Sequence, residues 1–223
     1  SVLATQFIAE GGKQGEAGVL VVFEEHPKEY LYRAEGLGFN LREMIDAGML
    51  EALYLRPLDL SPDETLHEIR EAVKRVGAKR VVIDSLSGFE IALAPTFRVD
   101  FRESLYRLVG ALTGTGVTVL MTAEVAEPFP GGEFTTERVA FVTDVILVQR
   151  YVEIEGKLQK ILAVVKMRGS EHSTGFRCYD LTATGAVMGD ELIDYHGITT
   201  GVPNRDGMSP HNPRPESSLA GSS

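Results

Sequence analysis

The stretch KRVVIDSLSG, residues 79–88, decides how the rest of the chain is read. Val81, Val82 and Ile83 are consecutive, β-branched and apolar, so the segment reads as a strand buried on both faces. It ends in Asp84, and the short run Ser85-Leu86-Ser87-Gly88 follows. Just upstream, SPDETLHEIREAVKRVG (61–77) reads as a helix. Ser61 is its cap, Pro62 its first residue, Asp63 and Glu64 sit at the positive dipole end, and Gly77 stops it. Downstream, DFRESLYRLVGALTGTG (100–116) reads as a helix and VTVLMTAEV (117–125) as the next strand. Farther upstream, GVLVVF (18–23) and LEALYLRPL (50–58) read as strands around a helix in HPKEYLYRAEGLG (26–38), with Pro27 at its first position. Apolar strands alternating with helices predict an α/β fold, a mostly parallel sheet flanked by helices on both faces.

The two ends of the chain read differently. SVLATQFIAEGG (1–12) has the apolar spacing of a helix, led by Val2, Leu3 and Phe7, and Gly11-Gly12 is expected to stop it. After Phe134 the alternation gives way to successive strands, with a tight hairpin turn at Glu155-Gly156. These predict C-terminal antiparallel strands. From about Thr199 the chain turns rich in Gly, Pro, Asn and Ser, which predicts a disordered tail over 199–223.

Composition bounds the function. The chain has 223 residues, 43% hydrophobic and 24% charged, which suits one domain with a sizeable core. Its single cysteine, Cys178, forms no internal disulfide and fits a reducing, cytoplasmic compartment. No apolar run approaches the roughly 20 residues of a membrane span. Net charge is −10, so the overall field that draws proteins to nucleic acid is absent. The five histidines and Cys178 show no zinc-ligand spacing. The glycine-rich GGKQGEAG (11–18) lacks the order of a phosphate loop and reads as a turn. Lys74, Lys79 and Arg80 read as a solvated basic face.

The chemistry points to strand ends. In open parallel sheets, ligands bind at the carboxyl edge. Glu24 and Glu25 stand there in VVFEEHP, and Asp84 stands there in VVIDSLSG. An Asp at the end of a buried strand holds Mg²⁺ through water in nucleotide hydrolases, and a nearby Glu activates the attacking water. Alone, Asp84 is more simply a turn or cap residue, and Glu24-Glu25 exposed loop acids. Their arrival at one edge of one sheet favours the catalytic reading.

These segments, together with VTDVILVQRYVEIEGKLQKILAVVKMRGSEHS (142–173), resemble the KaiC family of RecA-type ATPases. The resemblance runs from Ser1 to about Val187 and rests on FEE after a strand, IDSLS, and KMRGS after a hairpin. It implies a RecA-like P-loop ATPase domain over residues 1–198. It further implies ATP and Mg²⁺ bound between neighbouring subunits of a hexameric homo-oligomer, which serves as a signalling module with partner proteins. By position, Glu24 and Glu25 match the catalytic glutamates and Asp84 the Walker B aspartate. Lys166 and Arg168 match basic residues that reach the neighbour's nucleotide phosphate. Ser1 matches the Mg²⁺-binding hydroxyl that closes the phosphate loop.

The resemblance also sets expectations where the chain departs from the family. The loop G-x-x-x-x-G-K-[ST] is expected just before Ser1, and no GKS or GKT occurs within the 223 residues. These residues alone are therefore expected to turn over little or no ATP. The second reading of such a chain is a catalytically inactive RecA-fold scaffold. At the family's adjacent autophosphorylation sites stand Ala140 and Phe141, which carry no hydroxyl. Thr135 and Thr136 are nearby substitutes, more simply read as polar loop residues.

Overall fold

The computed structural model describes residues 1–55, 61–93, 95–98, 100–124, 140–198 and 204–205. The chain forms α1 (Val2–Lys13), β1 (Gly18–Val22), α2 (Pro27–Gly36), α3 (Leu41–Asp46), β2 (Leu50–Tyr54), α4 (Pro62–Val76), β3 (Arg80–Asp84), α5 (Leu86–Ala92), α6 (Pro95–Arg98), α7 (Phe101–Thr113) and β4 (Thr118–Met121). A second group of strands follows: β5 (Val145–Ile154), β6 (Lys157–Met167), β7 (Arg177–Thr182), β8 (Gly185–Glu191), β9 (Tyr195–His196) and β10 (Asn204–Arg205).

The first four strands make a wholly parallel sheet in the order β2-β1-β3-β4. Its residues alternate between two cores. Val19, Val21, Phe23, Val81 and Ile83 face α4, α5 and α7, meeting Ile69, Phe89 and Leu105. Leu20, Val22 and Val82 face α1, α2 and α3, meeting Ile8, Tyr30 and Leu41. Burial on both sides is why the strands read as unbroken apolar runs. Each large apolar side chain removed from water here stabilises the fold by about 1.5–3 kcal/mol.

Several expectations hold in detail. Ser61 Oγ accepts from Glu64 N while Glu64 Oε2 accepts from Ser61 N, a reciprocal capping box, and Gly77 ends α4 in the left-handed region at φ 63°. The β5–β6 hairpin turns at Glu155 (φ 52°) and Gly156 (φ 74°), the paired positive angles of a tight two-residue turn.

Others need correction. Helix α1 does not stop at Gly11-Gly12 but runs to Lys13. Those glycines serve close packing instead. A Cβ on Gly11 would lie 2.7 Å from Arg80 Cδ, and one on Gly12 would lie 2.7 Å from Met44 Sδ. The buried stripe of α1 is Ala4, Thr5, Ile8 and Gly11, with Val2, Leu3 and Phe7 only half-buried, because the helix lies close on the sheet. Arg80 is not part of a solvated face. Its Nε donates to Glu16 Oε2 at 2.7 Å, its Nη1 to Phe7 O at 2.7 Å, and its guanidinium covers the Phe7 ring at 4.7 Å. Of the strand expected from residue 138, 138–139 lie outside the described residues, 140–142 turn, and the strand β5 starts at Val145. Of the stretch 199–223 only Asn204 and Arg205 are described, where they pair antiparallel with His196 and Tyr195 as β10; the expected disordered tail otherwise lies outside the described residues.

The antiparallel sheet, in the order β5-β6-β7-β8, docks through the β7–β8 turn. Gln6 Oε1 on α1 accepts from Ala186 N at 3.0 Å. Gly38, at φ +77°, leaves room for the Ala183 carbonyl oxygen, which would lie 2.0 Å from a Cβ at that position. The substitution Gly38→Ala therefore meets both a disfavoured backbone angle and a backbone atom. It should cost more than about 1 kcal/mol in urea unfolding, whereas Gly36→Ala, in open space within α2, should not destabilise.

Candidate active site

Register brings the acids together. In the parallel pairing of β1 with β3, Val22 lies opposite Asp84. Glu24 follows two residues later on β1's strand direction, so the sheet carries both acids to its carboxyl edge. On the other side of β3, Ile83 pairs with Met121, which places Thr122 beside Asp84. Backbone bonds close this edge: Thr122 N donates to Ile83 O at 3.1 Å, and Leu86 N to Thr122 O at 2.8 Å.

The two oxygens of Asp84 differ. Oδ1 accepts from Thr122 Oγ1 at 2.5 Å. Oδ2 is buried and has no hydrogen-bond partner. A buried carboxylate oxygen without a donor is costly unless a cation or water completes it. The Asp84–Ser85 peptide is cis, and Ser85 Oγ accepts from Gly88 N at 3.0 Å to cap α5. A Cβ on Gly88 would lie 3.0 Å from Glu24 Cγ and 3.2 Å from Glu24 Cδ, so the missing side chain makes room for Glu24 beside the Asp84 turn.

The adjacent glutamates also differ. Glu24 is exposed and makes no hydrogen bond or ion pair with any described residue. Glu25 takes both guanidinium nitrogens of Arg33, at 2.8 and 2.5 Å. The Arg33 guanidinium in turn covers the Tyr30 ring at 5.0 Å. Such a fork-shaped pair fixes geometry more than it adds stability at a half-exposed site.

Ser1 caps α1 without spending its hydroxyl on the helix. Its carbonyl oxygen accepts from Thr5 N at 2.9 Å and from Thr5 Oγ1 at 3.1 Å. Thr5 Oγ1 lies 2.8 Å from Tyr30 Oη. Burial pushes the Tyr30 phenol well above its ordinary pKa, and the negative charge of Asp84 works in the same direction. The first turn of α1 and Tyr30 are joined by the Thr5–Tyr30 bond and pack on Val82, two residues before Asp84 on β3. The free oxygens, the Ser1 hydroxyl and Asp84 Oδ2, are hard ligands of the kind Mg²⁺ takes, and few of them are needed because Mg²⁺ keeps several waters. Among the described residues no group of three or more His, Cys, Asp or Glu forms a metal cage.

Lys166 and Arg168 lie elsewhere in the chain. Lys166 Nζ donates to Ala140 O at 2.5 Å and Thr143 O at 2.6 Å. Arg168 bonds Phe141 O at 3.3 Å and Asp144 Oδ1 at 3.4 Å. Both basic residues thus converge on one turn, whose Phe141 stacks on Tyr106 and lies under Arg102. Among the described residues nothing bonds either of them to Ser1, Glu24, Glu25 or Asp84. Thr135 and Thr136 lie outside the described residues.

Thr5, Tyr30, Arg33, Gly88 and Thr122 were not singled out from sequence. Thr122 had a signal: it follows the apolar run VTVLM as Asp84 follows RVVI. Thr5 and Tyr30 had one too, as hydroxyl groups on the apolar faces of α1 and α2.

Comparison with known proteins supplies the family. A family model described as "ATPase: KaiC" matches residues 1–192. The circadian clock oscillator protein KaiC of Picosynechococcus sp. is 31% identical over 206 residues, covering 92% of this chain and 39% of that protein. The KaiC of Thermostichus vulcanus is 28% identical over 205 residues, with the same coverage of 92% and 39%. The crystal structure of a KaiC-like protein from the hyperthermophilic archaeon Pyrococcus horikoshii OT3 matches with a TM-score of 0.75 at 26% identity, over 85% of this chain and 83% of that one. The chain thus spans 39% of the length of these two curated relatives.

Removing the donor to Asp84 tests the geometry without any ligand. Thr122→Val leaves the half-buried Asp84 with neither oxygen paired to Thr122 or any other described donor. It should lower unfolding stability by about 1–3 kcal/mol in denaturant titrations of the nucleotide-free protein.

Proposed function

This chain belongs to the KaiC family of ATPases, and from that premise we propose that the edge formed by Ser1, Glu24 and Asp84 binds ATP with Mg²⁺ and hydrolyses it. The observation that carries the reading is the divided Asp84 carboxylate, one oxygen anchored by Thr122 and the other buried without a partner.

Ser1 and Asp84 are the residues that would hold Mg²⁺, which would supply charge neutralisation to the phosphates. Thr122 keeps Asp84 from turning away, so its free oxygen stays aimed as an acceptor for a bound water. The amino end of α1 offers unpaired amides and a positive dipole to the phosphates. Glu24, uncommitted to any described side chain, orients the attacking water and accepts its proton. Glu25, committed to Arg33, shapes the loop instead. This assignment narrows the base to the first of the two glutamates.

Among the described residues Lys166 and Arg168 bond only to their own 140–144 turn and to none of the acids at this edge, which supports a site shared between subunits. In a homo-oligomeric, hexameric ring they face the next subunit's phosphates, where Arg168 can offer two parallel bonds. The turn they grip carries Ala140 and Phe141 and so offers no hydroxyl at the expected phosphosites. The function is therefore an ATP-driven cytoplasmic signalling module, acting with partner proteins, and the reading does not extend to autokinase chemistry at those two positions. No described helix is long and apolar enough to cross a membrane.

In the full-length protein, Glu24→Gln should lower hydrolysis by about 10²-fold or more while retaining nucleotide binding, as expected for loss of a general base. Glu25→Gln should have a smaller effect. Single-turnover phosphate release and calorimetric binding check both, and a Glu24→Gln protein that turns over at the parental rate removes Glu24 from the mechanism. Arg168→Ala should lose activity while each subunit stays folded. Co-assembled with Glu24→Gln it should regain part of it, because one interface type in the mixture keeps both the acid and the guanidinium.

A further inference from the structure

Tyr30 stands at the meeting point of two parts of the site that its own helix does not otherwise join. It is 1% exposed, among the largest fully buried side chains of the chain. Its ring packs in the cluster that holds Ala4, Ile8, Leu20, Val22 and Val82, the layer beneath the Asp84 edge. A phenylalanine would fill that layer equally well. A buried phenol adds a polar group that must find a partner, and the partner is Thr5, itself 3% exposed.

The direction of the bond follows from the proton count. Thr5 has one hydroxyl hydrogen and donates it to Ser1 O at 3.1 Å. Tyr30 therefore donates to Thr5 Oγ1 at 2.8 Å, and the chain of bonds runs Tyr30 to Thr5 to the Ser1 carbonyl. The Tyr30 ring lies under the Arg33 guanidinium, which grips Glu25. One side chain thus touches both the turn that presents Ser1 and the arginine that holds the acid loop.

We propose that Tyr30 is a positioning residue, whose phenol fixes the first turn of α1 so that the Ser1 hydroxyl is held ready for a divalent cation bound with a nucleoside triphosphate. The inference rests on the ATPase reading above and adds a residue to it. Tyr30 touches no reacting atom; it acts through Thr5 and Ser1.

The test uses the full-length protein and three variants: Tyr30→Phe, Thr5→Val and the double variant. Each single change is close to isosteric and removes one end of the same hydrogen bond. Binding of a fluorescent ATP analogue is followed while Mg²⁺ is titrated. Tyr30→Phe should raise the Mg²⁺ concentration for half-maximal binding about three- to tenfold, the worth of one hydrogen bond, with Mg²⁺-free binding unchanged. Thr5→Val should give a similar shift, and the double variant no more than either alone. Amide exchange of the first turn of α1 should be faster in each. A Tyr30→Phe protein with the parental Mg²⁺ midpoint, even if it melts earlier, overturns the proposal and leaves Tyr30 as core packing. Single shifts that add in the double variant overturn it as well, since the two residues then act separately. A parental protein with no Mg²⁺-dependent nucleotide binding overturns the ATPase reading and this inference with it. An unmoved midpoint beside normal parental binding overturns this inference alone.

Discussion

The parallel pairing of β1 with β3 is the constraint on which the rest of the molecule depends. Its ladder satisfies backbone groups that have no access to water, and its register sets Val22 against Asp84. Shift that register by one residue and every side chain on β1 changes face, so both hydrophobic layers would be lost together. The register is therefore held by the two cores, and the carboxyl edge inherits its precision. Asp84 and Thr122 owe their closeness to strand ends that finish level, and Glu24 stands in the bend just past β1 at the same edge.

The second sheet obeys different rules. It is antiparallel, and its β5 strand alternates buried Val148 and Val152 with exposed Leu147 and Tyr151. Its attachment to α1 and the α2–α3 turn depends on close approach at Gly38, which meets the Ala183 carbonyl, and at Gly185, which meets the Phe39 ring and the Gln6 amide. Lys166 and Arg168 are bound to their own local turn, so the sheet presents them as a unit. On the proposed reading, that separation of acids from bases within one polypeptide is why the site would need a second subunit.

Much of this was legible in the residues. The unbroken apolar runs of β1 and β3, the Ser61-Pro62 start and Gly77 stop of α4, and the Glu155-Gly156 turn each follow from local rules that tertiary context did not override. Asp84, Glu24 and Glu25 were legible as candidates because strand ends are. Their unequal roles were not, since the pairing of Glu25 with Arg33 depends on where α2 lies. Gly11 and Gly12 misled for a related reason: a glycine that ends a helix and one that admits a neighbour look alike until the neighbour, Arg80 or Met44, is known. Thr5 and Tyr30 interrupt apolar faces, and only the fold shows that each interruption answers the other.

Helix α1 is fastened at both ends. Tyr30 and Thr5 hold its first turn, while Arg80 bonds the Phe7 carbonyl in its middle and Glu16 just past its end. Midway, Gln6 grips the backbone of β8. A rod pinned in this way has little freedom to bend or fray. A displacement imposed at Ser1 would pass along the helix to β3 through Arg80 and to the antiparallel sheet through Gln6. In mechanical terms α1 is a strut whose middle bears on β8, and on the proposed reading it would join the edge that holds a phosphate to the sheet that carries Lys166.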